Sequence, residues 1–363
     1  MKLLVFIDHM AFGGAARVTS IMCKELAERG YQVTLSCDCH KPILYDLGNK
    51  VQKIDNYVHR LGKSHFAGLL LLTQRVQRYK KIITAVQPDI VIGVEPEPYL
   101  YARIASIGKK NAIVAVDHIT FGYTEQHWFT RWIRWHAYKW ADKVSILSYV
   151  DNKILGKRLP QKIVVHNPIS FDTYDKIVQR ENIVLCVGRV DGWEQKGFDR
   201  MIRIWSKVTM IHPNWQLVIA GNGKEESFNY LKQIAREQAN YDSIKFVGEV
   251  IDMQTLYQRA SIFALPSRFE GFPMCLLEAA SQGCACVAFD LQGISHEIFT
   301  DEKEGMIIPD NDEQLFADKI NYFIDNPNVL KEYSKYGSKA MKRFSKEQFV
   351  ETWEQICNSL VKE

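Results

Sequence analysis

A short apolar run, a turn and an amphipathic stretch form a unit that repeats along this chain, and halfway along the series starts again. Lys2–Asp8 (KLLVFID) reads as a buried strand, Gly13-Gly14 as a loop, and Ala15–Arg29 has helical spacing ended by Gly30. Gln32–Cys37 is a second strand, Phe66–Val86 looks helical, and Pro88-Asp89 leads into a strand at Ile90–Gly93. Asn111–Asp117, Val144–Leu147 and Lys162–Val165 continue the series. The restart is Asn182–Val187 (NIVLCV), followed by a glycine-containing loop and a helix near Phe198–Met210. Gln216–Ala220, Ile244–Val247, Ile262–Leu265, Cys284–Phe289 and a short run at Gly305–Pro309 are further strands. Three helical segments close the chain: Glu313–Asp325, Val329–Phe344 and Lys346–Val361.

Apolar strands alternating with helices predict parallel sheets covered on both faces. Two successive series predict two α/β, Rossmann-like domains. The length of 363 residues agrees, because a single core rarely grows past about 250–300 residues. The boundary is expected in the polar stretch Asn167–Glu181, dividing the chain into 1–168, 169–345 and a last helix at 346–363. With 47% hydrophobic and 24% charged residues the chain is neither disordered nor a bundle of membrane spans. The apolar run Lys2–Ile7 stops at Asp8, too short for a span or a secretory signal, so a cytoplasmic location is expected. The eight cysteines form no CxxC pair and lie mainly in apolar runs, which predicts free, mostly buried thiols.

Ligands of open parallel sheets bind beyond the carboxyl ends of the strands, and two such domains facing each other make one cleft. Four places meet that requirement. Gly13-Gly14-Ala15-Ala16-Arg17 follows the first strand and opens a helix, where backbone N–H groups favour an anion. It is neither a dinucleotide fingerprint nor a Walker A loop. Gly188-Arg189 ends the first strand of the second half and Lys196-Gly197 follows, an Arg fork and a Lys point charge suited to a diphosphate. Ser267–Ala279 (SRFEGFPMCLLEA) carries Glu270 before a helix and Glu278 about one turn inside it. Ionised carboxylates there accept hydrogen bonds from sugar hydroxyls, while the N–H groups of Met274 and Cys275 are available to phosphate oxygens. Asp117-His118 ends the strand Asn111–Val116, where His118 can hydrogen-bond a substrate or act as acid or base. Taken alone, His118 also suits a structural role.

In this order the motifs resemble the GT-B glycosyltransferases of family GT4, particularly bacterial enzymes that build lipopolysaccharide, capsule or lipid-linked glycans. His166-Asn167-Pro168 before the domain change and Pro266–Pro273 (PSRFEGFP) fit as well. The resemblance spans nearly the whole chain. It implies a GT-B fold, with two Rossmann-like domains across a cleft, and retaining sugar transfer from a nucleotide-sugar, usually a UDP-sugar, without a metal. It implies that Arg189 and Lys196 stabilise the leaving diphosphate, approached by Gly13 and Gly14 from the first domain. Glu278 would hold the ribose and Glu270 the donor sugar, with His118 on the sugar's other side. Met274 and Cys275 would border the phosphates, Val250 the base, and Arg17 the acceptor. Relatives often read Gly-Gly-Ala-Glu-Arg in the glycine loop, whereas here Ala16 takes the acidic position. Asp310-Asn311-Asp312 matches a DxD metal signature formally, but its place at a helix start predicts N-capping.

Charge is divided unevenly. Residues 1–170 carry 24 Lys and Arg against 13 Asp and Glu, and the remainder carries 22 against 29. A basic first half predicts an anionic partner. The stretches Lys63–Lys81 and His127–Lys143 interleave apolar and cationic residues, and Trp128, Trp132 and Trp135 share one helical face. That face is expected to be buried in something, either the rest of the chain or a membrane interface. The partners implied are a nucleotide-sugar, a lipid-linked or oligosaccharide acceptor and the inner face of the cell membrane, with no nucleic acid. Two other readings stay open: a sugar-nucleotide epimerase or hydrolase on the same fold, and a catalytically idle binding protein.

Overall fold

The computed structural model describes residues 1–11, 13–59, 65–123, 127–174, 180–238 and 241–361, with the side chains of 65–69 left aside. The chain divides into two compact units, Met1–Pro168 with Lys346–Glu363, and Ile169–Ser345. Residues 175–179 of the expected boundary segment lie outside the described residues.

The first unit is built on a seven-stranded sheet: β1 Lys2–Phe6, β2 Gln32–Cys37, β3 Gln52–Asp55, β4 Ile90–Val94, β5 Ala112–Val116, β6 Lys143–Ile146 and β7 Lys162–Val164. All pairs are parallel, in the order β3-β2-β1-β4-β5-β6-β7. The second unit holds β8 Glu181–Val187, β9 Gln216–Ala220, β10 Ile244–Gly248, β11 Ala260–Leu265, β12 Ala285–Phe289 and β13 Met306–Ile308, parallel in the order β10-β9-β8-β11-β12-β13. The inner strands β4, β11 and β12 are buried at every residue, which suits their Ile, Val and Ala content.

The strand order reverses between β1 and β4 and again between β8 and β11. In such sheets the crevice beyond the carboxyl ends at this switch point is where ligands bind. The glycine loop follows β1, Gly188-Arg189 follows β8, and Ser267–Glu270 follows β11, so the order of the sheets alone brings three motifs to the two crevices.

The fold differs from the sequence reading in places. β3 is a short, polar edge strand with no apolar alternation. A helix at Pro96–Ala105, unread from the sequence, tolerates its prolines because Pro96 opens it, where the N–H has no helical partner. The stretch expected as one helix at Val329–Phe344 is a helix Pro327–Ala340 followed by a 3₁₀ turn, Met341–Phe344. The last helix, Lys346–Val361, packs on the helix Gly14–Glu28, and Arg29 donates to Glu354 at 2.5 Å. All eight cysteines are free and six are buried; Cys275 is half-buried and Cys39 is exposed.

Candidate active site

The centre of the site is an ion pair. Lys196 Nζ donates to Glu270 Oε1 at 2.8 Å, and Ser267 Oγ donates to the same oxygen at 2.7 Å. Oε2 of Glu270 takes no hydrogen bond from the described residues and remains an acceptor. Burial works against the Lys196 ammonium, but the adjacent Glu270 carboxylate outweighs it and holds the lysine above its ordinary pKa. Lys196 therefore stays charged.

Backbone geometry makes this pair possible. A methyl group on Gly188 would meet Lys196 Cδ at 2.9 Å, so the missing side chain is the space through which the lysine stem passes. Gly197, at φ +67°, lies so close to the next loop that a methyl group there would stand 1.9 Å from Pro266 O. Arg189 is exposed, and its charge is felt at Lys196. The structure thus brings Arg189, Lys196 and Glu270 to one carboxyl edge.

A residue that sequence reading missed holds the loop in place. Arg200 is 1% exposed, on the helix Phe198–Thr209. Its guanidinium donates to Pro266 O, to Ser267 O at 2.5 Å and to Asp310 Oδ1 at 2.8 Å, and it stacks 3.9 Å from the Phe289 ring. A cation on the buried face of an amphipathic helix was the available signal. Arg268 adds a bidentate pair to Asp199 at 2.8 and 2.7 Å. Asp312 caps the helix Glu313–Asp325 by accepting from Leu315 N at 2.9 Å, while Asp310 serves Arg200. The formal DxD match is thus structural in both carboxylates.

Glu278 is buried in the helix Met274–Ser281. Its carboxylate accepts from Ser170 Oγ at 2.5 Å and from Tyr257 OH at 3.0 Å, partners that no sequence pattern announces. Each carboxylate oxygen has two lone-pair sites, so a ligand hydroxyl can still be accommodated. The Cys275 thiol shows how close these groups are. Burial pushes it up to about 12, and the charges of Lys196, Glu270 and Glu278 all act on it. Met274 and Cys275 open the helix half-buried, and their N–H groups have no protein acceptor among the described residues. Gly221 N donates to Gly248 O at 2.7 Å, tying the exit of β10 to that of β9, and Val250 follows two residues on.

The first unit presents its own edge. Gly13 and Gly14 are exposed at the start of the helix Gly14–Glu28, Gly13 N donates to Tyr45 OH at 3.2 Å, and the Arg17 guanidinium lies 5.0 Å from the Tyr45 ring centroid. Asp117 makes a fully buried pair with Arg134 at 2.6 Å and accepts from Ile119 N at 2.9 Å, which fixes the loop that carries His118. Burial lowers His118 to about 4, so its ring is neutral at physiological pH and is no ready source of a proton.

Glu95, also missed, ends β4 at φ +71° and ψ 160°, a strained backbone for a residue with a side chain. Burial, with the charges of Asp8, Asp117 and Glu97, pushes its carboxyl up to about 7. Because that value lies above the ordinary 4.5, its ionisation costs stability progressively as pH rises from about 4.5 to about 7 and no further above. Glu95→Gln has no such dependence. Urea midpoints at pH 5 and pH 8 are expected to show the variant gaining on wild type by up to about 3 kcal/mol. An equal pH response of both proteins would refute this.

The tryptophan face is only partly covered by its own unit. Trp135 packs against Phe121, with ring centroids 5.6 Å apart, but Trp128 and Trp132 are 71% and 38% exposed. Within its own unit the face is therefore not buried. Trp132 lies 6.0 Å from the half-exposed Trp140, and Arg131 and Lys139 are exposed beside them. Of the stretch Lys63–Lys81, residues 63 and 64 and the side chains of 65–69 lie outside the described residues. Among the described residues no helix is long and apolar enough to cross a membrane. Asp38, His40 and Asp55 offer atoms within 4.8 Å of one another that can hold a cation, but Asp38 and Asp55 already accept backbone N–H groups of their own turns.

Comparison with known proteins bears on the family and the fold. The family model described as Glycosyltransferase Family 4 matches residues 12–172, and Glycosyl transferases group 1 matches 173–340. The chain belongs to the family 4 glycosyltransferases of GT-B fold and is a glycosyltransferase. The amylovoran biosynthesis glycosyltransferase AmsD of Erwinia amylovora is 26% identical, over 98% of this chain and 99% of its own. A Campylobacter jejuni α-1,4-N-acetyl-D-galactosaminyltransferase, named for an undecaprenol-diphosphate-linked glycan, is 23% identical over 97% of each. Among solved structures, sucrose-phosphate synthase from Thermosynechococcus elongatus superposes with a TM-score of 0.85 at 16% identity, over 99% of both chains. Anabaena HepE in complex with UDP and glucose gives 0.79 at 18% identity, over 99% of this chain and 100% of its own.

Proposed function

We propose that this enzyme moves a hexose or N-acetylhexosamine, with retained anomeric configuration, from a UDP-sugar to a growing bacterial surface glycan. The observation that carries the reading is the Lys196–Glu270 pair beside the exposed Arg189 at the carboxyl edge of the second sheet. In the transfer, the bond from the anomeric carbon to the diphosphate breaks and the acceptor oxygen bonds to that carbon. The acceptor proton ends on the departing diphosphate. Lys196 and Arg189 supply positive charge where the leaving group's charge grows, which is where charge accelerates a reaction. The free Oε2 of Glu270 accepts from a donor-sugar hydroxyl, Glu278 from the ribose, and the Met274 and Cys275 N–H groups serve phosphate oxygens. In this reading the second unit is the donor-binding domain and the first the acceptor-binding domain; Arg17 is its acceptor contact, and Gly13, Gly14 and His118 are contacts to the donor. Lys196 and Arg189 supply the charge that a metal provides elsewhere, so no metal enters the scheme.

Two relatives favour the glycan reading by their names, one for amylovoran biosynthesis and one for an undecaprenol-diphosphate-linked glycan. A panel of UDP-, GDP- and ADP-sugars, with and without a lipid-diphosphate acceptor, tests it. UDP release that rises sharply with the acceptor is expected. Full donor consumption without an acceptor would instead favour the hydrolase or epimerase reading.

The exposed Trp128, Trp132 and Trp140 with Arg131 and Lys139 suit the anionic inner face of the membrane. Each cation adds only about 1 kcal/mol, so binding is peripheral and salt-sensitive. Trp128→Ala/Trp132→Ala is expected to lose co-sedimentation with vesicles containing one-third anionic lipid. Unchanged sedimentation would rule the patch out.

A further inference from the structure

The exits of β2 and β3 bring together side chains that the transfer scheme does not use. In the parallel register Cys37 lies opposite Asp55. Beyond Cys37 the chain turns, with Lys41 N donating to Asp38 O at 3.4 Å, and the turn returns His40 to the end of β3. His40 Nδ1 stands 3.3 Å from Asp38 Oδ1 and 3.9 Å from Asp55 Oδ1. One donor atom from each of the three residues lies within 4.8 Å of the other two. Nitrogen and oxygen ligands about 2.0–2.2 Å from one ion stand about 3–4 Å apart, so little movement brings these three onto a common centre.

The donor set is held from behind. His40 N donates to Asp38 Oδ1 at 3.0 Å, and Cys39 N and Tyr57 N donate to Asp55 Oδ1 at 3.0 and 3.3 Å. These bonds orient the carboxylates without using them up, because Oδ2 of each takes no hydrogen bond from the described residues. The His40 ring packs on Tyr57, with ring centroids 4.4 Å apart. Among the described residues no Lys or Arg pairs with either carboxylate; Arg78 donates to the main-chain carbonyl of Asp55 at 2.7 Å. Two carboxylates this close repel each other, and a cation between them removes the repulsion.

We propose that Asp38, His40 and Asp55 bind one divalent first-row transition ion, with water in the remaining positions. The imidazole nitrogen favours Zn²⁺ over Mg²⁺ and Ca²⁺, which prefer oxygen throughout. The side chains of Asp38, Asp55 and His40 are 15%, 34% and 65% exposed, so the ion enters from solvent. It ties the turn after β2 to the end of β3, and because the folded chain alone assembles the three ligands, it stabilises the first unit. The Cys39 thiol lies outside the set, donating to Cys37 O at 3.6 Å.

This site is independent of the donor site and of the sugar transferred, so it is read by binding alone. The test is calorimetric titration of the full chain with ZnCl₂, MgCl₂ and CaCl₂ at neutral pH, after treatment with a chelator and dialysis. Wild type is expected to take up one Zn²⁺ with micromolar affinity and Mg²⁺ and Ca²⁺ at least about 100-fold more weakly. His40→Ala and Asp55→Asn are each expected to weaken Zn²⁺ binding at least about 10-fold. Asp55→Asn keeps an oxygen for Cys39 N and Tyr57 N and so keeps the turn, and His40 is exposed, so both variants are expected to melt as the metal-free wild type does. Cys39→Ser is expected to bind Zn²⁺ as wild type does. Wild type without a micromolar Zn²⁺ site, or wild-type affinity in both His40→Ala and Asp55→Asn, would overturn the proposal. Loss of the site in Cys39→Ser would overturn it too, because the ion would then rest on the thiol.

Discussion

Lys196→Ala lowers kcat by about 10²- to 10³-fold while the KM for the donor moves much less. The charge on Lys196 matters most when the diphosphate departs, and removing one such preorganised group costs this much in other enzymes. The variant stays folded. The carboxylate left behind, Glu270, is buried but keeps its Ser267 partner at 2.7 Å, so the loss is expected to lower stability without unfolding the unit. Single-turnover kinetics with circular dichroism separates the two effects. Lys196→Arg restores the charge but not the compact ammonium and is expected to recover only part of the rate. A Lys196→Ala enzyme with wild-type kcat would remove the phosphate assignment.

Arg200→Met has the largest expected effect on stability. It strips two loop carbonyls, Pro266 O and Ser267 O, and Asp310 of their shared donor. Removing one partner of a buried charge network costs about 3–5 kcal/mol. For a domain of this size that is a drop on the order of 10 °C in Tm. Asp310→Ala provides the contrast. Asp310→Ala removes the carboxylate beside a buried guanidinium but leaves Arg200 its two loop carbonyls and Asn311 Oδ1 at 3.4 Å, so its cost is expected to be the smaller of the two. Calorimetric melts that rank these two variants in the opposite order would contradict the assigned role of Arg200. Because Arg200 also holds the loop carrying Ser267 and Glu270, its loss is expected to lower transfer activity at temperatures where the unit is still folded.

Much of this architecture is legible in the chain because parallel strands buried on both faces write themselves as unbroken apolar runs. NIVLCV at the restart and IVIG before Glu95 are of this kind, and both are inner strands. QKID at β3 is not, because an edge strand facing solvent has no apolar pattern to betray it. The motif residues Lys196, Glu270 and Glu278 were legible as chemistry at a strand end. Their partners were not, since Ser170 and Tyr257 lie 108 and 21 residues away from Glu278 and meet it only through the fold. Glu95 shows the same limit from another side. Its φ of +71° and the close approach of Gly93 to Tyr99, where a methyl group would stand 2.3 Å from Tyr99 Cα, are features of the folded chain that no local pattern announces. The Trp128 face shows that a helical aromatic stripe records amphipathicity without recording what covers it.

Calorimetric titration with UDP tests the central claim most directly, since free UDP carries the charge that the leaving group acquires. Wild type is expected to bind UDP more tightly than GDP or ADP, and Lys196→Ala and Glu278→Gln to weaken that binding at least about 10-fold each, one through the diphosphate and one through the ribose. Wild type that ignores all three nucleotides, or variants that bind UDP as wild type does, would contradict a donor site built on Lys196, Glu270 and Glu278.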